Sequence, residues 1–171
     1  MSMDTLPTSS VELQILTFKE GLLSRVAHDL MLRVDTLTVT GDPESGAVEA
    51  SIDPRSLRVI CAMKRGREDH KALKDKDKAE IEKNLREDVL EVGRFGEITF
   101  SGTTSSDALE GTLTLHGVSR AVRAPLRVEG AWRVAEIELD QRQFDIRPYQ
   151  AMMGALKVKP AVRARIRMRW P

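Results

Sequence analysis

The feature that most constrains this fold is a two-residue alternation of apolar and polar side chains that recurs along most of the chain. Its clearest case is the stretch "LTLHGVSRAVRAPLRVEG" at residues 113–130. Leu113 and Leu115 alternate with threonines, and the pattern resumes after His116-Gly117 with one face of Val118, Val122, Ala124, Leu126 and Val128. Because successive side chains of a strand point to opposite faces, this pattern predicts two half-buried strands joined by a tight glycine turn.

The same alternation recurs at short intervals on both sides of this hairpin. It predicts further strands at residues 10–18, 29–34, 47–53, 56–63, 97–102, 131–146 and 155–170. Eight or nine strands with one polar face each, joined mostly by short turns, are typical of an antiparallel barrel or sandwich. We therefore expect an all-β fold.

One segment departs from the alternation and follows a helical period instead. Its apolar residues recur every four positions, at Ile81, Leu85 and Val89. This stripe predicts one amphipathic helix at about residues 77–91. A capping box of Asp77 and Glu80 is expected to begin it, and a left-handed Gly93 to end it. We expect the helix to close one end of the barrel, after an exposed polar loop at residues 64–76.

Length and composition bound the classes of function. The chain has 171 residues, which suffices for one domain with a real core. We expect a flexible tail at residues 1–9 and a single domain at residues 10–171. The net charge is +1 and aromatic residues are 4% of the chain, so we expect no nucleic-acid partner. Cys61 is the one cysteine, so no intramolecular disulfide can form, and a lone cysteine is typically a small buried hydrophobe.

The N-terminal residues contain neither a basic segment nor the apolar core of a secretory signal. No run approaches the ~20 apolar residues of a membrane span. These patterns predict a cytoplasmic protein without a transmembrane segment.

The residue types that carry chemistry are present but scattered. His28, His70 and His116 lie far apart, without a second ligand at a spacing typical of a metal site. We therefore expect no metal site and no cofactor. The adjacent pair His28-Asp29 is the one catalytic candidate, and a local role at a strand start is the competing interpretation. No motif frames a nucleophile, so we expect a protein that is not an enzyme.

The last predicted strand carries a row of arginines, at Arg163, Arg165, Arg167 and Arg169. A row of this kind could bind phosphates, but the preceding strand carries an acidic row of Glu136, Glu138 and Asp140. Pairing the two strands would set the rows side by side. We expect an antiparallel pair of strands at 133–145 and 156–169, with these charges outward and the alternate apolar residues inward.

The most unusual stretch is "FDIRPYQAMMGALKV" at residues 144–158. It has the proline and glycine of a loop, yet it also holds Tyr149, Met152, Met153 and Leu156. Methionines are adaptable and suit a surface that meets a flexible apolar guest. The alternative is that these side chains plug one end of the core, and the sequence leaves the choice open.

Taken together, these segments resemble the YceI-like family of small lipocalin-shaped barrels. "LEGTLTLHGVSRAV" is similar to the family's most specific signature, and "RFGEITFSGT" to a second motif, with Gly96 in place of a proline. "AHDLMLRV" resembles the family's early histidine strand, and "MMGALKVKPAVRARIRM" its closing segments. The family's R-D-x-H-L-R segment becomes residues 81–86, "IEKNLR", inside a longer charged insertion.

The resemblance implies an eight-stranded antiparallel barrel whose apolar interior holds a long isoprenoid-type chain. Many members are exported, and members often pair, so a homodimer is possible. Low aromatic content makes a barrel interior harder to fill, which favours a cavity for an isoprenoid or fatty-acyl lipid. The alternative is a solid barrel that acts through its surface, either helix 77–91 or the arginine row. The expected cavity lining is Leu30, Leu32, Val34, Ile98, Phe100, Leu113, Leu115, Val122, Leu126, Ile137, Phe144, Met152, Met153, Leu156 and Ile166.

Overall fold

The computed structural model describes residues 3–21 and 27–169. Its strands are β1 (Asp4–Thr5), β2 (Val11–Thr17), β3 (Asp29–Val34), β4 (Leu37–Gly41), β5 (Ala47–Ile52), β6 (Leu57–Lys64), β7 (Arg67–Asp69), β8 (Ile98–Thr104), β9 (Ala108–Leu115), β10 (Val118–Glu129), β11 (Trp132–Asp140), β12 (Gln150–Ala151), β13 (Leu156–Lys157) and β14 (Ala161–Met168). One antiparallel sheet runs in the order β1-β4-β5-β8-β9-β10-β11-β14-β2-β3-β6-β7, and β12 pairs with β13 separately. The sheet curls around a shared apolar interior.

The predicted all-β, lipocalin-like barrel with one helix is confirmed, but the curled sheet has twelve strands rather than eight. Strand β4 was not predicted, because its short alternation of Leu37 and Val39 with threonines resembles a polar turn. Strand β1 and Leu6 lie in the expected flexible tail. The Leu6 N–H donates to the Val39 carbonyl at 2.8 Å, and Leu6 is buried. Strand β7 lies in the expected polar loop, where a hairpin pairs it with β6.

The hairpin between β9 and β10 has the tight turn that the sequence predicts. His116 and Gly117 both have left-handed backbone angles, with φ of 53° and 74°. Two such residues match the twist of the flanking strands. Strand β10 pairs with β9 up to Pro125 and with β11 beyond it. Since this last part of β10 no longer has β9 as a neighbour, Val128 is 69% exposed, and its predicted inward position is wrong.

The predicted antiparallel pairing of the two charged strands is confirmed. Strand β11 pairs with β14 in a register that sets Glu136 opposite Arg165 and Glu138 opposite Arg163. The pair is shorter than predicted. Strand β11 ends at Asp140, whose carboxylate accepts from the Arg142 N–H at 3.0 Å and starts a 3₁₀ turn at Gln141–Phe144. Strand β14 begins at Ala161, because residues 156–157 pair with β12 instead.

Ion pairs neutralise two arginines on the outward side of this strand pair. Arg165 lies 3.2 Å from both Glu136 and Glu129, and Arg167 lies 2.8 Å from Glu12 on β2. Each of these pairs is partly exposed, so it contributes at most ~1 kcal/mol. Their larger effect is on register, since a slip of one residue would turn the arginines inward.

The helix α1 (Asp75–Asn84) runs on into a single π-helical turn at Leu85–Val89. Its N-cap is Lys74 rather than the predicted Asp77, because the Asp77 carboxylate accepts from the Lys74 N–H at 2.8 Å. Gly93 does not have the left-handed backbone angles predicted for the residue that ends the helix. The π turn shifts the C-terminus, and Glu91 has the left-handed φ of 46° instead.

Helix α1 packs across the exposed edge of β6. The Val59 N–H, which has no strand beside it there, donates to the Glu82 carboxylate at 2.9 Å. Ile81 and Leu85 pack on the buried cluster around Leu32 and Val59. The helix therefore covers a strand edge that would otherwise be open to pairing. In the part of the chain that the structure describes, no helix is both long and apolar enough to span a membrane.

Candidate ligand-binding site

The interior of the barrel is not completely filled by side chains. A cavity of about 230 Å³ lies among the inward-facing residues of the strands. Its wall is apolar except for Thr17 and Gln141 among the described residues. An engineered apolar cavity of about 150 Å³ already binds small apolar guests and stays dry. This inner chamber therefore has the size and the chemistry to accept part of an apolar molecule.

Strand alternation explains which residues form the wall. The sequence-predicted residues that line the inner chamber are Leu32, Val34, Ile98, Phe100, Leu113, Leu115, Val122, Ile137 and Ile166. Sequence reasoning did not name many further lining residues, among them Leu13, Ile15, Val39, Val48, Ala124, Ala135, Leu139 and Ala164. Most of these lie in strands that the sequence predicts, at positions of the correct parity. The two-residue alternation thus identifies the wall, and these further lining residues could have been predicted from it.

A second chamber of about 450 Å³ adjoins the first. It lies between α1, the start of β3 and the β12–β13 hairpin, and it shares Thr17, Leu32, Leu85, Val89 and Gln141 with the inner chamber. The predicted residues Leu30, Met152 and Leu156 line this outer chamber. The two chambers therefore adjoin across these five side chains, and Thr17 and Gln141 are the polar ones among them.

Polar groups gather around the outer chamber rather than the inner one. His28, Asp77, Glu80, Asn84 and Tyr149 contribute to its wall. The Asn84 side-chain amide donates to the Tyr149 hydroxyl at 3.0 Å, which ties α1 to the segment before the β12–β13 hairpin. Between the two chambers, the buried Gln141 amide donates to the Lys159 carbonyl at 3.0 Å. The site thus has an apolar inner end and an amphipathic outer end.

Three of the predicted lining residues line neither chamber. Phe144 is 1% exposed and packs with Val89 and Ile146 in a cluster of its own. Leu126 is buried beyond the point where β10 leaves β9. Met153 is fully exposed, because left-handed backbone angles at both methionines direct it away from the barrel. The methionine pair is therefore split, with only Met152 at the outer chamber.

In the catalytic candidate His28-Asp29, the Asp29 carboxylate is hydrogen-bonded to the backbone rather than to the His28 ring. Asp29 accepts a hydrogen bond from the Lys19 N–H at 2.8 Å, so it holds the backbone that follows β2 in place. His28 lies in the wall of the outer chamber. Asp29 therefore has a local structural role, whereas His28 contributes to the chamber wall.

His116 is a buried connecting residue of the barrel end. Its Nε2 lies 2.7 Å from the Glu91 carboxylate and its Nδ1 lies 3.2 Å from the Phe144 carbonyl. The Phe95 ring packs on it at 4.2 Å between ring centroids. A Cβ on Gly117 would lie 2.8 Å from the same ring, so the turn requires glycine there. The signature hairpin therefore holds the end of the helical segment in place.

Comparisons with known proteins agree with this architecture. The model of the YceI-like domain family matches residues 9–169. BcnA of Burkholderia cenocepacia is similar with a TM-score of 0.64 at 14% identity, over 97% of this chain and 99% of that one. A polyisoprenoid binding domain from Saccharophagus degradans, implicated in plant cell wall breakdown, is similar with a TM-score of 0.61 at 12% identity, over 98% of this chain and 97% of that one. At these identities the two structures show the fold alone. No curated protein sequence matches this chain.

Proposed function

Because this chain belongs to the YceI-like domain family, we propose that it is a non-enzymatic binding protein that holds an isoprenoid or another long apolar lipid chain inside its barrel. The observation that carries the proposal is the apolar inner chamber with an amphipathic outer chamber directly beside it. The similarity in fold to a polyisoprenoid binding domain supports the same class of ligand.

Chamber size constrains how such a ligand would lie. The inner chamber, at about 230 Å³, is smaller than the ~300–1,000 Å³ of most ligand sites. We therefore expect a long chain to displace the side chains between the chambers and to occupy the outer chamber of about 450 Å³ as well. We expect the apolar tail in the inner chamber and the polar end beside Asn84 and Tyr149. Each buried CH₂ group contributes ~0.8 kcal/mol, so ten such groups would offset the costs of association.

The outer chamber, which forms the mouth of the site, is also where this chain departs from its family's sequence pattern. Ile81 and Asn84, which stand at the Arg and His positions of the family's R-D-x-H-L-R, line the outer chamber. In this proposal, the polar end of the ligand lies beside two residues that differ from the family's pattern. We infer that the ligand's polar end, more than its tail, distinguishes this protein from other members.

A matched pair of substitutions in β10 tests the proposal. Ala124 lines the inner chamber, whereas Ala121 is exposed on the same strand. Ala124→Phe should fill the chamber and weaken binding of cis-parinaric acid, a fluorescent apolar probe, at least about tenfold. Ala121→Phe should leave its binding unchanged. Overpacking costs ~1–3 kcal/mol, so thermal melting must show that Ala124→Phe is folded, and Ala164→Phe on β14 provides a second chamber-filling variant.

Two results would contradict the proposal. Wild-type protein that binds no probe would indicate a barrel that acts through its surface. Equal binding by wild type and both chamber-filling variants would place the probe outside the chamber.

A further inference from the structure

A cluster of potential metal ligands lies outside the proposed lipid site, at the sheet edge formed by β6 and β7. These strands pair Ala62 with Asp69 and Met63 with Glu68 around a tight turn. Cys61 directly precedes the paired residues of β6, and His70 directly follows β7. Cys61, Glu68 and His70 come together at this end of the hairpin.

A β-bulge sets the direction of the cysteine. Leu32 pairs with Val59, but its neighbour Met31 pairs with Cys61, so Ile60 is an extra residue in β6. Leu32 lines the inner chamber, and strand alternation therefore turns Met31 and its partner Cys61 to the opposite face. Without the bulge, Cys61 would share the inward face of Val59. Bulges often redirect a side chain in this way next to functional sites.

The donor atoms of the three side chains are already close together. The Cys61 sulfur, a Glu68 carboxylate oxygen and a His70 ring nitrogen lie within 4.8 Å of one another. His70 Nε2 lies 2.9 Å from the Glu68 oxygen. Cys61 is fully buried, whereas the side chains of Glu68 and His70 are more than half exposed. The sulfur is thus fixed by packing, and the two flexible side chains leave access from solvent.

We propose that Cys61, Glu68 and His70 bind a zinc ion at this edge of the sheet. Thiolate, imidazole and carboxylate are all established zinc ligands, at ~2.3, ~2.0 and ~2.0–2.2 Å. Tetrahedral coordination at those lengths separates the donor atoms by ~3.4–3.6 Å. The donor atoms already lie within 4.8 Å of one another, and the two exposed side chains are free to adjust toward this separation. Three protein ligands leave the fourth position to water.

The carboxylates around the cluster favour a cation. Burial, and next the Glu68 carboxylate, raise the pKa of the Cys61 thiol. On binding, the zinc–sulfur bond forms, the S–H bond breaks and the proton leaves to solvent. Asp69 adds a second negative charge nearby, and Lys78 on α1 opposes it. Bound zinc would fasten the edge strand β7 to the sheet.

Cobalt provides a direct test, because Cys61 is the one cysteine of the chain. Metal-free full-length protein titrated with Co²⁺ should develop a near-ultraviolet thiolate-to-cobalt charge-transfer band that saturates at one equivalent, and Zn²⁺ should abolish it. Cys61→Ser should remove the band. His70→Gln and Glu68→Gln should each weaken Co²⁺ binding at least about tenfold. Glu49→Gln, an exposed strand glutamate on β5, is the matched control and should bind as wild type does.

If Cys61→Ser fails to fold, the variants at the exposed residues Glu68 and His70 still test the proposal. A wild-type protein without the charge-transfer band at saturating Co²⁺ would overturn the proposal. So would a band that His70→Gln and Glu68→Gln leave unchanged. Zinc should also raise the melting temperature of wild type but not of His70→Gln.

Discussion

A pair of glycines on β8 and β9 gives the sharpest stability prediction. Gly102 lies opposite Gly111, and the ring of Phe100, which lines the inner chamber, lies over both. A Cβ on Gly102 would overlap the Glu110 carbonyl oxygen and lie 2.7 Å from both the Gly111 Cα and the Phe100 ring. Two of these neighbours are backbone, so no side-chain rotation relieves the overlap. Gly102→Ala must separate the strands or displace the ring.

The expected cost of Gly102→Ala is that of overpacking, ~1–3 kcal/mol. For a domain of this length, ~1 kcal/mol lowers the melting temperature by about 2–4 °C, so melting should fall by about 2–12 °C. Gly93→Ala is the control, because a Cβ there meets nothing within 4 Å and its φ is not left-handed. It should be neutral or slightly stabilising. Circular dichroism melts measure both, and equal melting of Gly102→Ala and wild type would refute the steric argument.

Two further predictions concern the mouth and the outer charges. Tyr149→Phe removes the hydrogen bond from Asn84, and urea unfolding should show a loss of ~0.5–1.5 kcal/mol; an unchanged midpoint would mean that the bond does not stabilise the mouth. The hydrogen bond from Arg127 lowers the pKa of Glu129 below 4.5. That contribution is present above the unfolded pKa and is lost as the pH falls through the folded value. Thermal melts between neutral and acidic pH should therefore show a flatter acid dependence in Glu129→Gln, and identical profiles would count against this pair.

Most of the barrel could be predicted because strand alternation is visible in the sequence. The segment at residues 29–34 matches β3 at both ends, and the pairing of β11 with β14 follows from complementary charges. Strand parity also located most of the chamber wall, since inward positions of β8 and β9 are the apolar ones. These features are set locally or by adjacent strands, which a single sequence records.

The remaining features depend on contacts between distant segments. The π turn after α1 and the left-handed Glu91 could not be predicted, because a helical stripe does not specify how its last turn closes. The exposure of Met153 follows from backbone angles that no residue type in "QAMMGAL" requires at those positions. The Cys61 cluster was missed for a similar reason. Cys61, Glu68 and His70 do not follow one another at a spacing typical of metal-binding motifs. The bulge that directs Cys61 toward the other two arises from strand pairing, which the sequence does not reveal.

The measurement that most directly tests the central claim is native mass spectrometry of freshly purified protein, followed by organic-solvent extraction. The account predicts a species heavier than the bare chain by one apolar molecule, which the extract then contains. Ala124→Phe should be recovered without that added mass, whereas Ala121→Phe should retain it. Bare wild-type protein that yields no lipid and takes none up when incubated with farnesol would contradict the account.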